Sequence, residues 1–132
     1  VGEVLELLRE RAAACLAAGI APERLLVDPG LGFGKRLEDN VALLARADEL
    51  RSLGLPVLLG PSRKRFLAAL AEQAGLRLPS EPRQRIGGTL AAVVAGILAG
   101  VEVVRVHDVA EAAQAAAVAT ALAPARAAAP ET

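Results

Sequence analysis

Residues of the types that bind anions or polar heterocycles follow three short apolar runs of the sequence. They are Asp28 after the first run, Ser62, Arg63 and Lys64 after the second, and Arg105, His107 and Asp108 at the end of the third. In parallel sheets the carboxyl ends of the strands meet at one edge, where α/β proteins usually bind their ligands. If the three runs are parallel strands, the Asp28 carboxylate, three cations and an imidazole converge on that edge.

The first of these groups lies in a glycine-rich stretch. The sequence turns at Asp28-Pro29-Gly30 and then places glycines at alternate positions around Phe33. Alternate glycines allow the backbone to lie close against a bound molecule. The alternative is a tight strand-to-helix turn that Asp28 helps to cap, and this stretch alone favours neither. The nearby Lys35 and Arg36 are expected to be solvated.

The other charged residues also have purely structural interpretations. Arg63 and Lys64 are then solvated charges near the start of a helix, although cations there oppose the helix dipole. Arg105 is then an ion pair with Asp28, and His107, the only histidine, a hydrogen-bonded core residue. Because strand side chains alternate, Arg105 and His107 point to the same side. This pair favours an anion site, since both side chains can donate to phosphate oxygens.

Several common ligand motifs are missing from the sequence. The three alternate glycines lack the GxGxxG spacing of a dinucleotide-binding turn, and Gly34-Lys35 lacks the Walker spacing and its Ser/Thr. There is no cluster of Cys and His for zinc. The lone Cys15 argues against a disulfide framework and is typical of a reducing cytosol, so we expect a cytoplasmic protein.

Composition and charge narrow the class of protein further. Fifteen basic residues balance 15 acidic ones in the 132-residue chain, so no nucleic-acid partner is indicated. No apolar run reaches the ~18 residues of a membrane span. The chain opens at Val1 inside a helical pattern and without a secretory leader. We therefore expect a piece of a longer chain, or a processed product, with no membrane partner.

Apolar periodicity predicts a helix followed by three strand–helix units. The predicted helices are 3–18, 38–53, one from Ser62 to about Gly75, 84–99 and 109–122; the strands are 25–27, 57–59 and 101–106; 76–82 is a loop. Alternating strands and helices predict a parallel sheet. Three strands cannot close a barrel of eight. The alternatives are a small open sheet and the last part of a (β/α)₈ barrel.

The same patterns make several local predictions. Ser62 and Asp108 are placed to cap the helices that follow them. Val41, Leu44, Ala47 and Leu50 are expected to share a face of the second helix. We expect a domain over residues 1–122 and a disordered Ala/Pro-rich tail over 123–132.

Four blocks of this sequence, in order, resemble the dihydropteroate synthases of folate biosynthesis. They are Asp28-Pro29-Gly30-Leu31-Gly32-Phe33-Gly34-Lys35, Gly60-Pro61-Ser62-Arg63-Lys64-Arg65-Phe66-Leu67, Arg85-Ile86-Gly87-Gly88-Thr89-Leu90-Ala91-Ala92 and Val104-Arg105-Val106-His107-Asp108-Val109. The resemblance implies an α/β fold, the C-terminal part of a (β/α)₈ TIM barrel that carries its last three strands. It also implies condensation of 4-aminobenzoate with 6-hydroxymethyl-7,8-dihydropterin diphosphate, giving 7,8-dihydropteroate and pyrophosphate.

The resemblance also implies a role for each matched residue. Asp28 would bind the pterin, Lys64 the pterin ring, Phe33 and Gly32 with Lys64 the aminobenzoate side, Ser62 and Arg63 the aminobenzoate carboxylate, and Arg105 and His107 the diphosphate. Arg105, His107 and Lys64 would be the catalytic residues. This chain departs from the family at Arg36, where the family commonly has a threonine, and at Pro61, where the family usually has a larger residue.

Other implied features lie outside the matched blocks. The family places further ligands and a loop that helps to bind Mg²⁺ on earlier barrel strands, so no metal ligand is expected in this chain and the chain alone is expected to be inactive. A homodimer and sensitivity to sulfonamides are implied as well. The alternatives are the pterin-binding domain of a corrinoid-linked methyltransferase, against which the Ser62-Arg63-Lys64 block argues, and a degenerate non-enzymatic chain.

Overall fold

The computed structural model of the chain describes residues 1–77 and 81–127. Its helices and strands are α1 (Gly2–Ala17), α2 (Leu37–Ala45), β1 (Leu58–Leu59), α3 (Arg65–Gln73), α4 (Ile86–Leu98), β2 (Val103–Val104) and α5 (Val109–Ala127). Short 3₁₀ helices cover Pro22–Arg24, Ala47–Leu53 and Pro82–Arg85. The order of elements is the predicted one, a helix followed by strand–helix units.

The strands form a small parallel sheet, as predicted. β1 pairs with β2 in parallel, with Leu58 opposite Val103, and Val27 forms a parallel bridge to Val57 on the other side of β1. The first predicted strand is therefore reduced to one bridge. Among residues 1–77 and 81–127 it has a partner on one side only, and Leu26 is 48% exposed. The strand predicted over 101–106 is shortened to β2.

The core lies between this sheet and the helices. Leu43, Leu50, Val57, Leu59 and Val93 are almost fully buried. The face of α4 that packs on the sheet repeats at helical spacing and consists of Thr89, Ala92, Val93 and Gly96. Gly96 allows the helix to approach closely, because a Cβ atom there would lie 2.9 Å from Leu59 Cδ1. Small residues on α4 thus bring the sheet and helix together.

The predicted second helix differs in two respects. It ends at Ala45, and a 3₁₀ helix over Ala47–Leu53 continues the chain. Its buried residues are Asn40 and Leu43, whereas Val41, one of the four residues expected on a shared face, is 39% exposed. Leu43 and Val41 lie on different sides of the helix, and the larger leucine is the one that faces the core.

The last helix extends further than predicted. α5 continues to Ala127 with Pro124 inside it, five residues past the expected end at Leu122. Alanine, the best helix former, dominates this segment. The predicted disorder of 128–132 and residues 78–80 of the predicted loop lie outside the described residues. No helix in the described ranges is both long and apolar enough to cross a bilayer.

Candidate functional site

The glycine loop, residues 28–35, leaves the sheet with Asp28 at its base. Asp28 Oδ1 accepts a hydrogen bond from the backbone N–H of Gly30 at 2.8 Å, and Oδ2 accepts one from Arg105 Nη2 at 3.1 Å. The carboxylate therefore both shapes the turn and faces the sheet edge. Its two oxygens make different contacts, one that supports the turn and one that pairs with Arg105.

Two polar side chains hold the glycine loop closed. The buried Asn40 accepts from Gly32 N–H at 2.6 Å and donates to the Arg36 carbonyl at 2.7 Å. Lys35 Nζ donates to the carbonyls of Gly30 and Phe33 at 3.0 and 3.2 Å. Lys35 was expected to be solvated and not catalytic; its ammonium binds two carbonyls of its own loop.

Lys64 crosses the glycine loop and lies against Phe33. Its Nζ is 3.6 Å from the centre of the Phe33 ring, a cation–π contact, and Phe33 itself is 60% exposed. The aliphatic stem of Lys64 lies directly over Gly32, where a Cβ atom would be 2.8 Å from Lys64 Cδ. Gly32 also has φ +78°, which disfavours other residues. An aromatic face, a cation and bare backbone are thus exposed together.

Electrostatics around Lys64 are strongly cationic. Burial lowers the pKa of Lys64, the charge of Arg105 lowers it further, and the Asp28 carboxylate opposes both effects. A bound anion would relieve the repulsion between the two cations. Arg105 lies over Gly60, where a Cβ atom would be 2.8 Å from Arg105 Nη2. The predicted Asp28–Arg105 ion pair is present, with the arginine side chain 60% exposed.

The SRK loop, residues 60–64, is held by partners from distant parts of the sequence. Arg63 binds Asp108 through two parallel hydrogen bonds, Nε to Oδ2 at 3.0 Å and Nη2 to Oδ1 at 2.6 Å. The Arg63 N–H donates to Thr89 Oγ1 at 3.0 Å, and Arg85 Nη1 donates to the Arg63 carbonyl at 2.7 Å. These contacts hold Arg63 at φ 60°, the only positive φ of a non-glycine residue in the described ranges.

The sequence had suggested that Ser62 caps α3, but the structure shows that it does not. α3 begins after Lys64 without a side-chain cap. Ser62 is buried and its Oγ contacts His107 twice, accepting from the backbone N–H at 3.1 Å and lying 2.9 Å from Nδ1. Asp108 likewise places both carboxylate oxygens on Arg63. Both side chains bind across the sheet edge because their partners lie on the neighbouring loop.

A cavity of about 760 Å³ opens above the sheet edge. Its lining brings together Gly60, Ser62, Arg63, Lys64, Pro82, Arg105, Val106 and His107. Arg105 and His107 both line this cavity, and so does Val106 between them, beyond the end of β2. A second cavity of about 670 Å³ lies on the glycine-loop side of Lys64, and Gly32 and Arg85 contribute to it. Cationic walls suit an anionic ligand, and the exposed Phe33 ring lies beside them on Lys64.

A protein-family model described as "Pterin binding enzyme" matches residues 1–107. The chain belongs to this family of pterin-binding enzymes. It is 44% identical over 112 residues to the dihydropteroate synthase of Neisseria meningitidis serogroup B, an alignment that covers 83% of the chain and 37% of that relative. The family resemblance drawn from the sequence blocks is confirmed.

Solved structures of pterin-binding enzymes agree with this assignment. The Yersinia pestis dihydropteroate synthase in a sulfonamide drug complex matches with TM-score 0.84 and 37% identity, over 94% of the chain and 43% of that protein. The Xanthomonas albilineans enzyme in complex with 7,8-dihydropteroate matches with TM-score 0.80 and 44% identity, over 98% and 47%. The chain spans less than half the length of each. Of the two expected architectures, the partial (β/α)₈ barrel is confirmed.

The residues that support this site were not predicted from the sequence. Asn40 and Thr89 are polar residues on buried helix faces, a signal that the helical periodicity contained. The pairing of Arg63 with Asp108 had no local signal, because the two residues lie 45 positions apart. Arg85 combines a bond to the Arg63 carbonyl with a buried Nε for which the described residues offer no acceptor.

Proposed function

We propose that this chain forms one side of the active site of a dihydropteroate synthase and acts in folate biosynthesis. The reaction joins 4-aminobenzoate to 6-hydroxymethyl-7,8-dihydropterin diphosphate and releases pyrophosphate. Support comes from the family, from relatives that carry the synthase name, and from the product present in the X. albilineans structure. Because the chain covers 37% of its N. meningitidis relative, activity requires segments outside it. No observation here favours the methyltransferase alternative.

Asp28 is proposed to bind the pterin. Each carboxylate oxygen has two acceptor sites, and Gly30 N–H and Arg105 Nη2 occupy only one site on each oxygen. The remaining sites can accept from the amino and ring N–H groups of a pterin edge. Lys64, which lies over Phe33 and within the electrostatic influence of Asp28, would contact the ring, and Phe33 would flank the aminobenzoate. Gly32 leaves room for both.

The cations that line the cavity of about 760 Å³ are proposed to stabilise the leaving diphosphate. The aniline nitrogen attacks the methylene carbon, the C–O bond breaks, and its electron pair leaves on the diphosphate oxygen. The nitrogen then loses its proton to solvent. Arg105, His107 and Lys64 line the space where that negative charge develops. Preorganised donors in such a place lower the barrier without a general base.

Ser62 and Arg63 carry the least direct support as aminobenzoate ligands. The Arg63 guanidinium is engaged with Asp108, and Ser62 with His107. Arg63 still borders both cavities, so it can contact a carboxylate through its remaining N–H groups. Its role in holding the aminobenzoate carboxylate stays a proposal. A contribution to sulfonamide binding follows from the same site and is proposed with it.

Three further proposals concern magnesium, dimerisation and cellular location. Within residues 1–77 and 81–127, no three His, Cys, Asp or Glu side chains are grouped to hold a metal ion. That Mg²⁺ takes its protein ligands from other segments of the enzyme remains a proposal from the family resemblance. A homodimer and a cytoplasmic location remain predictions from the family resemblance and from Cys15.

The observation that carries the proposal is the presence of Arg105, His107 and Lys64 around one cavity beside Asp28. Titration calorimetry of the 132-residue chain with pyrophosphate tests it. Arg105→Ala removes charged hydrogen bonds, which are worth roughly 1.5–3 kcal/mol, and should weaken binding about tenfold or more. Arg51→Ala is the matched control, because Arg51 packs on Gly100 away from this cavity. Equal affinity for the wild type and Arg105→Ala would contradict the anion site.

A further inference from the structure

Ser62 and His107 are linked by two contacts, although 45 residues separate them. The serine hydroxyl oxygen accepts from the His107 backbone N–H at 3.1 Å and lies 2.9 Å from Nδ1 of the ring. Ser62 is 6% exposed, whereas His107 is exposed and lines the cavity of about 760 Å³. The ring therefore turns Nδ1 inward to the serine and its opposite edge, with Nε2, outward.

The position of the hydroxyl hydrogen follows from an inventory of donors and acceptors. A serine hydroxyl has one hydrogen and two acceptor sites, and the backbone N–H of His107 uses one of those sites. If Nδ1 also carried a hydrogen, the buried hydroxyl would have two donors facing it. Its own hydrogen would then have no acceptor among the residues that the structure describes. Buried polar hydrogens are rarely left in that state.

We infer that Ser62 is a positioning residue: its hydroxyl donates to Nδ1 and so holds neutral His107 as the Nε2–H tautomer, with that N–H facing the cavity. The imidazole then presents a hydrogen-bond donor beside Arg105 and Lys64 whether or not the ring is charged. The backbone bond from His107 to the same oxygen fixes the distance between the SRK loop and the segment after β2.

The consequence for ligand binding is directional. An anion in the cavity gains a donor of fixed orientation, where a freely rotating imidazole would exchange between tautomers and present an acceptor nitrogen part of the time. Ser62 acts through His107 and need not touch the ligand. This part of the inference rests on the proposed diphosphate site, whereas the tautomer itself is a property of the unliganded chain.

Nitrogen-15 NMR of the imidazole tests the tautomer directly. His107 is the only histidine in the sequence, so its two ring nitrogens give one unambiguous pair of signals. In the wild-type chain above the titration range of the ring, we expect a protonated Nε2 and an unprotonated, hydrogen-bonded Nδ1. In Ser62→Ala the two shifts should move toward each other as the tautomers exchange. Ser62→Thr, which keeps the hydroxyl, should restore the wild-type pattern.

Ser52→Ala is the matched control, because its hydroxyl donates to the Glu49 carbonyl far from the cavity. It should leave the imidazole signals unchanged. A protonated Nδ1 in the wild type, or identical shifts in the wild type and Ser62→Ala, would overturn the inference. The wild-type measurement alone can do so, even if a variant fails to fold.

Calorimetry with pyrophosphate separates the two levels of the argument. Ser62→Ala should weaken pyrophosphate binding roughly threefold to tenfold, because the His107 ring no longer presents one hydrogen-bond donor in a fixed orientation. If the wild type binds no pyrophosphate, the proposed function fails while the tautomer result stands. If the wild type binds and Ser62→Ala binds equally well, the positioning role of Ser62 is wrong.

Discussion

The glycine loop and the SRK loop touch each other at the carboxyl edge of the sheet, but different kinds of contact hold them. In the glycine loop, backbone groups are bound by Asp28, Lys35 and the nearby Asn40 of α2, all no more than eight positions away. The SRK loop depends on partners 22 to 45 positions away, in the 3₁₀ helix before α4, on α4 itself and beyond β2. One loop is shaped by its own sequence, and the other by the fold around it.

This difference explains how each loop presents its ligand groups. The glycine loop keeps backbone bare and leaves Phe33 exposed, which suits contact with a flat ring. The SRK loop carries Ser62 and Arg63 into fixed bonds and leaves Lys64 to extend across its neighbour. Lys64 over Gly32 is the contact between the two loops. Substitutions that act on backbone shape should therefore damage the first loop, and loss of a distant partner should damage the second.

The largest effect is expected from Gly32→Ala. The left-handed φ of +78° costs roughly 1–2 kcal/mol for alanine, and the new Cβ would displace Lys64, so we expect a total loss of about 3 kcal/mol in unfolding free energy. Gly34→Ala is the matched control, because Gly34 has φ +58° with no atom within 4 Å of a Cβ. Urea unfolding measures both. Equal losses would show that the Lys64 contact contributes nothing.

The next largest effect is expected from Thr89→Val, which removes the acceptor of the Arg63 N–H and keeps the side-chain shape. A buried donor left without a partner costs roughly 1–3 kcal/mol, and we expect about 2 kcal/mol here, since Thr89 is fully buried. Amide exchange at Arg63 should accelerate while exchange at Gly32, in the glycine loop, stays unchanged. Thr89→Ser retains the hydroxyl and should keep Arg63 protected. Protection of Arg63 in the valine variant would contradict the distant-partner account.

How far the sequence predicts each loop follows from the same difference. Asp28 and the alternate glycines are local signals, so the turn and its place at a strand end were predictable. The Arg63–Asp108 and Ser62–His107 pairs depend on how β1 and β2 align, with Leu59 opposite Val104. That register brings two loops together that are distant in sequence, and periodicity contains no information about it. Ser62 and Asp108 looked like helix caps for this reason.

The fold shows the same limit. Parallel strands and their order followed from the alternation of apolar runs and helices. The burial of Leu43 in place of Val41 on α2 could not be predicted in this way, because both residues are apolar and only packing against the sheet decides which one is buried. The short 3₁₀ helix after Ala45 is likewise set by tertiary contacts of Ala47 and Leu50, which are fully buried.

A smaller effect is expected from Gly60→Ala, which tests a glycine that has no φ requirement. The new Cβ would meet Arg105 Nη2 at 2.8 Å, and the flexible guanidinium would move away from Asp28. Because that ion pair is exposed, we expect a loss of about 0.5 kcal/mol in unfolding free energy. In an Arg105→Ala background the same substitution should cost nothing. An equal cost in both backgrounds would show that Gly60 is required for another reason.

The smallest effect concerns the response of the SRK loop to acid. Hydrogen bonds from Arg63 lower the pKa of Asp108 below its ordinary value near 3.8. A carboxylate with a lowered folded-state pKa stabilises the fold fully above its unfolded-state pKa, and this contribution is lost as pH falls through the folded-state value. The unfolding free energies of the wild type and Asp108→Asn should therefore differ at pH 5.5 and converge toward pH 2.5.

Asp39→Asn provides the control for the acid response, because Arg36 lowers the pKa of Asp39 at the exposed start of α2. In Asp39→Asn the pH dependence of the unfolding free energy should also change, but amide exchange at Arg63 should be the same as in the wild type. In the wild type, the protection factor of the Arg63 amide, which compares its exchange rate with the intrinsic rate at the same pH, should fall as Asp108 becomes protonated, and Asp108→Asn should remove this change. If the protection factor of Arg63 stays constant with pH in the wild type, the bond to Thr89 alone holds the loop, and the Asp108 pair serves only to orient the guanidinium.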